Sequence, residues 1–431
     1  MTPNNKSVEI RAWIDTTGGV VGCLLLVQFL TGILLAFYYV PSTDHAHTTV
    51  SYIEKVVSSG SWLRSLHHYG SQWLALFAFL HVVRLFWSEA YVGRRVHWVA
   101  AVLLLALVMG GAGTGYSLPW DARAFFSTRV AEGLMAGLPC AGRNARLWLL
   151  GGSEISTITL SRLFALHILV IPFALLGVIG WWVSRKVCWS NLNRNAIAGG
   201  VVFVALAIWC LKFAAPLGPP VEAMSADYLP RPGAQFLWLY QILKYVPGGF
   251  GSVAGVLLPG IGLAILLLLP YLKAKRVVGS TVLAAFTALL LIMTLLAYAS
   301  DRSDQHARKQ LAKQDAEEAA WRQQPFHPQL LQSQQRDSAN SGPIIGGSPL
   351  KYIQYCANCH GLRGEGAQQG PLRFPPLLDV AAKPRRSVND IVGLLKDPDD
   401  YGLKPPMRSF SDKLSEAEMK EIAEFVVQLK S

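Results

Sequence analysis

Residues 356–360 read Cys-Ala-Asn-Cys-His, and C-x-x-C-H is the attachment motif of a c-type haem. The spacing serves that chemistry. The thiols of Cys356 and Cys359 bond covalently to the porphyrin, and the adjacent His360 ligates the iron from one face. A second axial ligand must come from elsewhere, and Met407 in Lys404-Pro405-Pro406-Met407 is the candidate. The prolines stiffen that loop, and a thioether ligand raises the haem potential. Met419 sits at an apolar position of a terminal helix and reads as packing. The blander readings of the motif are a chance match or a redox dithiol. The downstream Pro-Pro-Met loop and the terminal helix argue against both.

A second set of candidates lies in apolar sequence: His67, His81 and His167. An intramembrane histidine is functional by default, although a lone one can simply be hydrogen-bonded. Fourteen residues on a helix leave His67 and His81 only about 40° apart in angle and about 21 Å apart along the axis. That separation suits two haems stacked across a bilayer. His68 points to the far side of the same helix. His67 and His167 both fall near the outer ends of their runs and can sandwich one iron between facing helices.

The elements that must position these residues are membrane spans. The chain has 431 residues, 52% hydrophobic and 15% charged, with a mean hydropathy of +0.32. Average soluble domains carry about 25% charged residues. The composition excludes a single soluble globule, a disordered chain and a basic nucleic-acid-binding domain. The net charge of +12 does not reside in residues 349–431, which hold 12 Lys/Arg against 11 Asp/Glu. It lies in short loops between apolar runs, which is a topology signal. Seven runs approach the roughly 20 residues a spanning helix needs: 18–40, 71–88, 98–116, 162–183, 196–216, 251–272 and 279–299. The first is too long for a signal peptide and lacks a small-residue cleavage site, so it reads as a retained span.

Lys6 and Arg11, Arg94 and Arg95, Arg185, Lys186 and Arg194, and Lys273, Lys275 and Arg276 all fall on one side by the positive-inside rule. The N-terminus is then cytoplasmic, and everything after residue 300 is outside. Haem attachment to c-type domains also occurs outside the cytoplasm. The expected fold is all-α. Residues 1–190 form a four-helix haem bundle, 191–300 a three-helix module, 301–348 a polar, partly helical tether, and 349–431 an extramembrane haem c domain. As a flexible coil, the tether would reach about 40 Å.

Residues 349–431 resemble a class I monohaem cytochrome c. The bundle resembles the cytochrome b subunit of quinol-oxidising cytochrome bc and bf complexes. The matching stretches are Thr31-Gly32 through Phe37-Tyr38-Tyr39-Val40-Pro41, Leu63-Arg64-Ser65-Leu66-His67, Leu80-His81-Val82-Val83-Arg84, Thr114-Gly115-Tyr116-Ser117-Leu118-Pro119-Trp120-Asp121, Leu160-Ser161-Arg162 through His167, and Gln241-Ile242-Leu243-Lys244. They keep their order and spacing over about residues 12–275. The resemblance implies haem propionates on Arg64 and Arg84, whose blander reading is interface anchoring. It also implies close haem packing at Gly18 and Gly32. A Rieske iron–sulfur subunit and other redox subunits would be the partners, with a soluble or membrane cytochrome as acceptor and no nucleic acid. The location would be the inner, cytoplasmic membrane, with the haem c domain periplasmic.

Three departures bear on function. Where the family places a second histidine on span four, this chain has Trp181 and Trp182. Cys188 lies about 10 Å further along a continuous helix. His81 ligates an inner haem iron only if another partner exists, His97 being the nearest candidate. The family's Pro-Glu-Trp-Tyr motif aligns with Pro232-Gly233-Ala234-Gln235, so Gly233 replaces the carboxylate that would take a quinol proton, and the catalytic residue is unassigned. Thr16 stands where one subset of the family carries a cysteine for an extra covalent haem. One haem c is expected, with one haem b, or two if His81 finds a partner, and quinone or quinol as substrate.

Elsewhere, His45 and His47 read as a solvated loop. His306 and His327 read as tether. Cys23, Cys188 and Cys210 read as membrane packing and Cys140 as an unpaired loop thiol. Asp121 and Glu154 read as proton relays or arginine partners. The expected function is electron transfer between haem b or quinol and the fused haem c in a quinone-linked respiratory or photosynthetic complex. The alternative is a haem-bearing scaffold that has lost quinol oxidation and wires electrons inside a larger assembly.

Overall fold

The computed structural model describes residues 16–152, 154–184, 192–221, 228–246, 250–273, 275–326, 344–345, 348–360, 364, 367–369, 372–378, 380, 386–401, 407 and 409–429. Lys6, Arg11, Arg185, Lys186, Cys188, His327 and the Lys404-Pro405-Pro406 run lie outside them. The chain divides into two units, one of residues 1–218 and 229–326, the other of residues 219–228 and 327–431.

The first unit is helical. Its elements are α1 Thr17–Ala36, α2 Ala46–Lys55, α3 Gly60–Trp87, α4 Arg95–Tyr116, α5 Ala122–Ala136, α6 Gly142–Leu150, α7 Thr157–Ser184, α8 Leu192–Lys212, α9 Leu237–Tyr245, α10 Val253–Tyr271, α11 Lys275–Ser303 and α12 Gln305–Gln323. Six of these are long and apolar enough to cross a membrane: α1, α4, α7, α8, α10 and α11. The seventh expected span falls on α3. That helix has 28 residues, about 42 Å at 1.5 Å per residue, but Arg64, His67, His68, Gln72, His81 and Arg84 dilute its apolar run.

Helix α3 packs against α1, α4 and α8. One core, with Val20, Leu24, Leu66, Leu74, Val108 and Leu206, fills the space between them. A second core, with Val82, Phe86, Tyr91, Trp98, Ala101 and Leu269, closes the other end of α3. Small residues let α1 and α8 approach: a Cβ on Gly19 would lie 2.6 Å from Asn195 Cβ. Without a hydrophobic force between spans, such close van der Waals packing is what joins them. Helix α8 stops at Lys212 rather than running to 216, since the residue before Pro216 is pushed out of helical geometry.

The polar run after the last span starts α12 at a defined cap. The Asp304 carboxylate accepts from the backbone N–H groups of His306 at 2.8 Å and Ala307 at 3.1 Å, satisfying two of the free donors of a helix start.

In the second unit, α13 Leu350–Tyr355 and α14 Ala357–His360 carry the C-x-x-C-H motif. Helices α15 Val388–Lys396 and α16 Glu416–Gln428 follow, each opened by a capping box, Ser387 with Asp390 and Ser415 with Glu418. Met419, Ile422, Ala423 and Val426 of α16 are buried, and Phe425 meets the Tyr352 ring edge-on at 4.7 Å. The all-α expectation holds for the architecture, with two short antiparallel ladders beside the helices among the described residues: β1 Ile344–Ile345 with β2 Ser348–Pro349, and β3 Ala367–Gln369 with β4 Leu372–Phe374. Strands of two or three residues leave no alternation to read.

Candidate functional site

His67 on α3 and His167 on α7 face each other. Their ring centres are 6.0 Å apart and the planes meet at 80°, leaving room for one metal atom between two inward nitrogens. Both rings are held by their other nitrogen. Thr31 Oγ1 donates to the Val27 carbonyl at 2.6 Å, so it accepts from His67 Nδ1 at 2.9 Å. His167 Nδ1 donates to the Gly111 carbonyl at 3.1 Å. A metal-ligating histidine characteristically donates its second ring N–H in this way, and here each Nε2 is left for a ligand. His167 sits in a π-helical turn, Leu166–Val170, inside α7; such bulges re-aim side chains and concentrate at functional sites.

The supporting residues repeat. Thr31-Gly32 meets His67, Thr17-Gly18 meets His81, and Thr114-Gly115 meets His167. The threonine oxygens lie 2.9, 3.0 and 3.3 Å from the respective Nδ1 atoms. A Cβ would come within 3.0 Å of His67 Cε1 at Gly32, 3.2 Å of His81 Cε1 at Gly18 and 2.6 Å of His167 Cε1 at Gly115. Each glycine therefore admits an imidazole against its helix. Gly115 was not singled out in the sequence, though the thrice-used Thr-Gly pair is a signal for it.

At the His81 end the fourth pair is missing. Fourteen residues before Thr114-Gly115 stand Ala100 and Ala101, and Ala101 belongs to the packed apolar core with Trp98 and Phe86. The ring of His97, the candidate second partner of His81, packs edge-on against Trp182 at 5.6 Å. The residues at the His67 end fit a haem between two histidines; those at the His81 end do not.

A cavity of about 670 Å³ opens beside the His67–His167 pair. Its walls are mostly apolar, as ligand sites are, with Gln28, Arg64, His68, Tyr116, Asp121 and Gln235 among its polar members. His68 thus lines the cavity instead of pointing away from it. Arg64 is 8% exposed. Its guanidinium donates to the Pro216 carbonyl at 2.5 Å and lies 3.6 Å from Glu54. Gly233 touches two lining residues: its N–H donates to Tyr116 Oη at 3.0 Å, and it lies against Gln235.

Helix α12 closes this end. Glu318 accepts from Arg123 at 2.6 Å, Arg322 at 2.9 Å and the Leu217 N–H at 3.1 Å. Lys55 donates to the Trp321 carbonyl at 2.9 Å. The first part of the expected tether is therefore a docked cap. His47 is not a solvated loop residue: it is 4% exposed. Its Nε2 donates to the Gly218 carbonyl at 2.8 Å, and its Nδ1 has no partner. Burial pushes the His47 pKa down, with the Gly218 bond and Asp121 acting in the opposite sense. Asp121 is an N-cap, accepting from Ala124 N–H at 2.9 Å, and also accepts from Gly218 N–H at 3.1 Å.

In the second unit, His360 Nδ1 donates to the Pro375 carbonyl at 2.9 Å, which again leaves Nε2 for a metal. Cys356 is buried and Met407 half-buried. The side chain of Cys359 lies outside the described residues. The donors present suit a covalent haem.

Residues 3–182 match the family model for cytochrome b/b6/petB, and residues 351–430 match that for cytochrome c. The chain is 35% identical over 177 residues to the menaquinol:cytochrome c reductase cytochrome b subunit of Geobacillus thermodenitrificans, covering 41% of this chain and 79% of that protein. The subunit of that name from Bacillus subtilis (strain 168) is 33% identical with the same coverage. Cytochrome b of Chlamydomonas reinhardtii is 28% identical over 308 residues, 65% of this chain and 80% of that one. A solved structure described as a hyperthermophilic respiratory Complex III superposes with a TM-score of 0.51 at 22% identity, covering 71% of this chain and 89% of that one. At that identity the likeness concerns the fold.

Proposed function

Because this chain belongs to the cytochrome b/b6 family and ends in a cytochrome c domain, we propose a specific division of labour along it. The protein is a multi-pass membrane electron-transfer protein, a cytochrome b of the quinol:cytochrome c reductase type joined to a cytochrome c. The scaffold alternative is not favoured, since the relatives are reductase subunits.

Beyond that, His67 and His167 hold one haem b, and Arg64, which lines the same cavity, would meet its propionates. Cys356, Cys359, His360 and Met407 hold one haem c. Each bound haem supplies a one-electron carrier. The chain's own part is to hold the axial nitrogens through Thr31 and Gly111 and to wall the site with apolar side chains. Helix α3 crosses the membrane as a seventh span, its polar residues turned to the sites. The N-terminus is cytoplasmic and the cytochrome c domain lies outside the inner membrane, with a Rieske subunit as partner and quinol as reductant.

The observation that carries this reading is the facing pair of imidazoles, each with its Nδ1 engaged. The extracted-haem spectrum tests it: a b to c ratio of one is expected, and a ratio of two would show a second ligated haem at His81. With one haem b, an electron has no intermediate stop toward the cytoplasmic face, so an inner-site inhibitor of the antimycin type should leave b-haem reduction unchanged.

A further inference from the structure

The His67 cavity holds one buried acceptor with nothing to accept. Gln235 Oε1 is shielded from solvent, lines the cavity and has no hydrogen-bond partner, a costly state for an amide oxygen. Beside it, Tyr116 Oη accepts from the Gly233 N–H at 3.0 Å, so its own O–H remains to donate. The two groups are linked through Gly233. A Cβ there would lie 2.8 Å from Gln235 Oε1 and 3.3 Å from Tyr116 Cε2. The glycine is thus more than a lost carboxylate: its bareness admits the Gln235 amide to the place a side chain at 233 would enter.

Of the carboxylates nearby, Glu54 lies against Arg64 at 3.6 Å, and two others are held by hydrogen bonds. Asp121 accepts from two backbone N–H groups, and Glu318 accepts from two arginines and a third N–H. We propose that Gln235 and Tyr116 form a neutral acceptor–donor pair that binds the headgroup of a quinol in this cavity, in place of a carboxylate at position 233: a quinol hydroxyl donates to Gln235 Oε1 and accepts from the Tyr116 O–H. The pair rests on the reading of the chain as quinol-linked. An amide accepts a hydrogen bond without taking up the proton, so headgroup affinity at this pair does not follow a carboxylate titration.

The test uses the full chain with its haems kept reduced in lipid nanodiscs and 2,3-dimethyl-1,4-naphthoquinol under anaerobic conditions as probe, with Kd from equilibrium dialysis. Gln235→Met and Tyr116→Phe should each weaken binding about five- to thirty-fold, the loss of one buried hydrogen bond, with the haem b spectrum unchanged. Wild-type affinity should be flat over roughly pH 5–8, whereas Gln235→Glu should introduce a pH-dependence by ionising in that window when partly buried. If Gln235→Met loses haem b, Tyr116→Phe and the Gln235→Glu pH profile decide. Unchanged Kd in the variants with normal wild-type binding overturns the pair and leaves the quinol reading standing. No probe uptake by the wild type overturns the quinol reading and the pair with it.

Discussion

The two ends of helix α3 are built from the same parts and differ in what faces them. At one end, His67 leans on Thr31 and Gly32 and looks across at His167, itself seated on Thr114 and Gly115. At the other, His81 leans on Thr17 and Gly18 in nearly the same way, but Trp182 and Ala101 occupy the facing helices. A bundle with two haem sites of this kind has four half-sites, each a histidine with its Thr-Gly seat. Three are present. The absent histidine and the absent Thr-Gly pair belong to different helices: Ala101 of α4 packs in the apolar core, and Trp182 of α7 meets the His97 ring.

The largest effect should come from breaking the intact end. His67→Leu should remove essentially all haem b while haem c remains, because no other described imidazole faces His167. His81→Leu should leave the b to c ratio as in the wild type. Haem extraction with spectra of the purified protein checks both. Loss of haem b in His81→Leu would mean that the two ends are not the separate sites described.

Building the missing half-site is the next test. The double variant Trp182→His with Ala101→Gly restores the imidazole and the bare position opposite His81. It should raise the b to c ratio from one toward two and add a second b-type midpoint in a redox titration. Trp182→His alone should do less, since the Ala101 methyl still stands in the core with Trp98 and Phe86.

The glycine seats grade the comparison further. The projected Cβ clearances rank Gly115 at 2.6 Å, Gly32 at 3.0 Å and Gly18 at 3.2 Å. Gly115→Ala must push the His167 ring aside, and overpacking of that kind costs about 1–3 kcal/mol. Haem b content and midpoint potential should therefore change most in Gly115→Ala, less in Gly32→Ala, and not at all in Gly18→Ala. An equal response in all three would break the distinction between the ends.

What the sequence made legible follows from the range of the interactions involved. The C-x-x-C-H motif, the histidines and most spans are local patterns, and six of the seven apolar runs correspond to helices long and apolar enough to cross. The exception, α3, is diluted by polar residues, among them the proposed ligand His67, so the proposed function and hydropathy conflict in one segment. The π turn at His167 lies within an apolar run where periodicity has no contrast. Helix α12 has a tether's composition, and its docking depends on Arg123, Lys55 and Leu217, all far away in sequence. Gln235 is an ordinary polar residue until Gly233 and Tyr116 are seen around it.

The smallest expected effect concerns the cap that encloses the His67 end. His47 is neutral there: Nε2–H is committed to the Gly218 carbonyl, and Nδ1 is buried without an acceptor. Protonation puts a positive charge beside Lys55 and Arg64, which burial and those two charges oppose, while Asp121 and the Gly218 bond favour it; burial prevails and the pKa is lowered. The sign follows from linkage. A histidine whose folded pKa lies below its unfolded value of about 6.5 binds its proton first in the unfolded state, so stability is complete above that pH and declines as pH falls through it toward the folded pKa. His47→Gln keeps an N–H for Gly218 and cannot titrate. Thermal loss of the haem b Soret band, followed at about pH 8 and about pH 5.5 on either side of that unfolded value, should show a larger acid-induced drop in Tm for the wild type than for the variant. Equal drops would mean that the cap responds to some other group, and the pH sensitivity of this end would then have to be sought among its carboxylates.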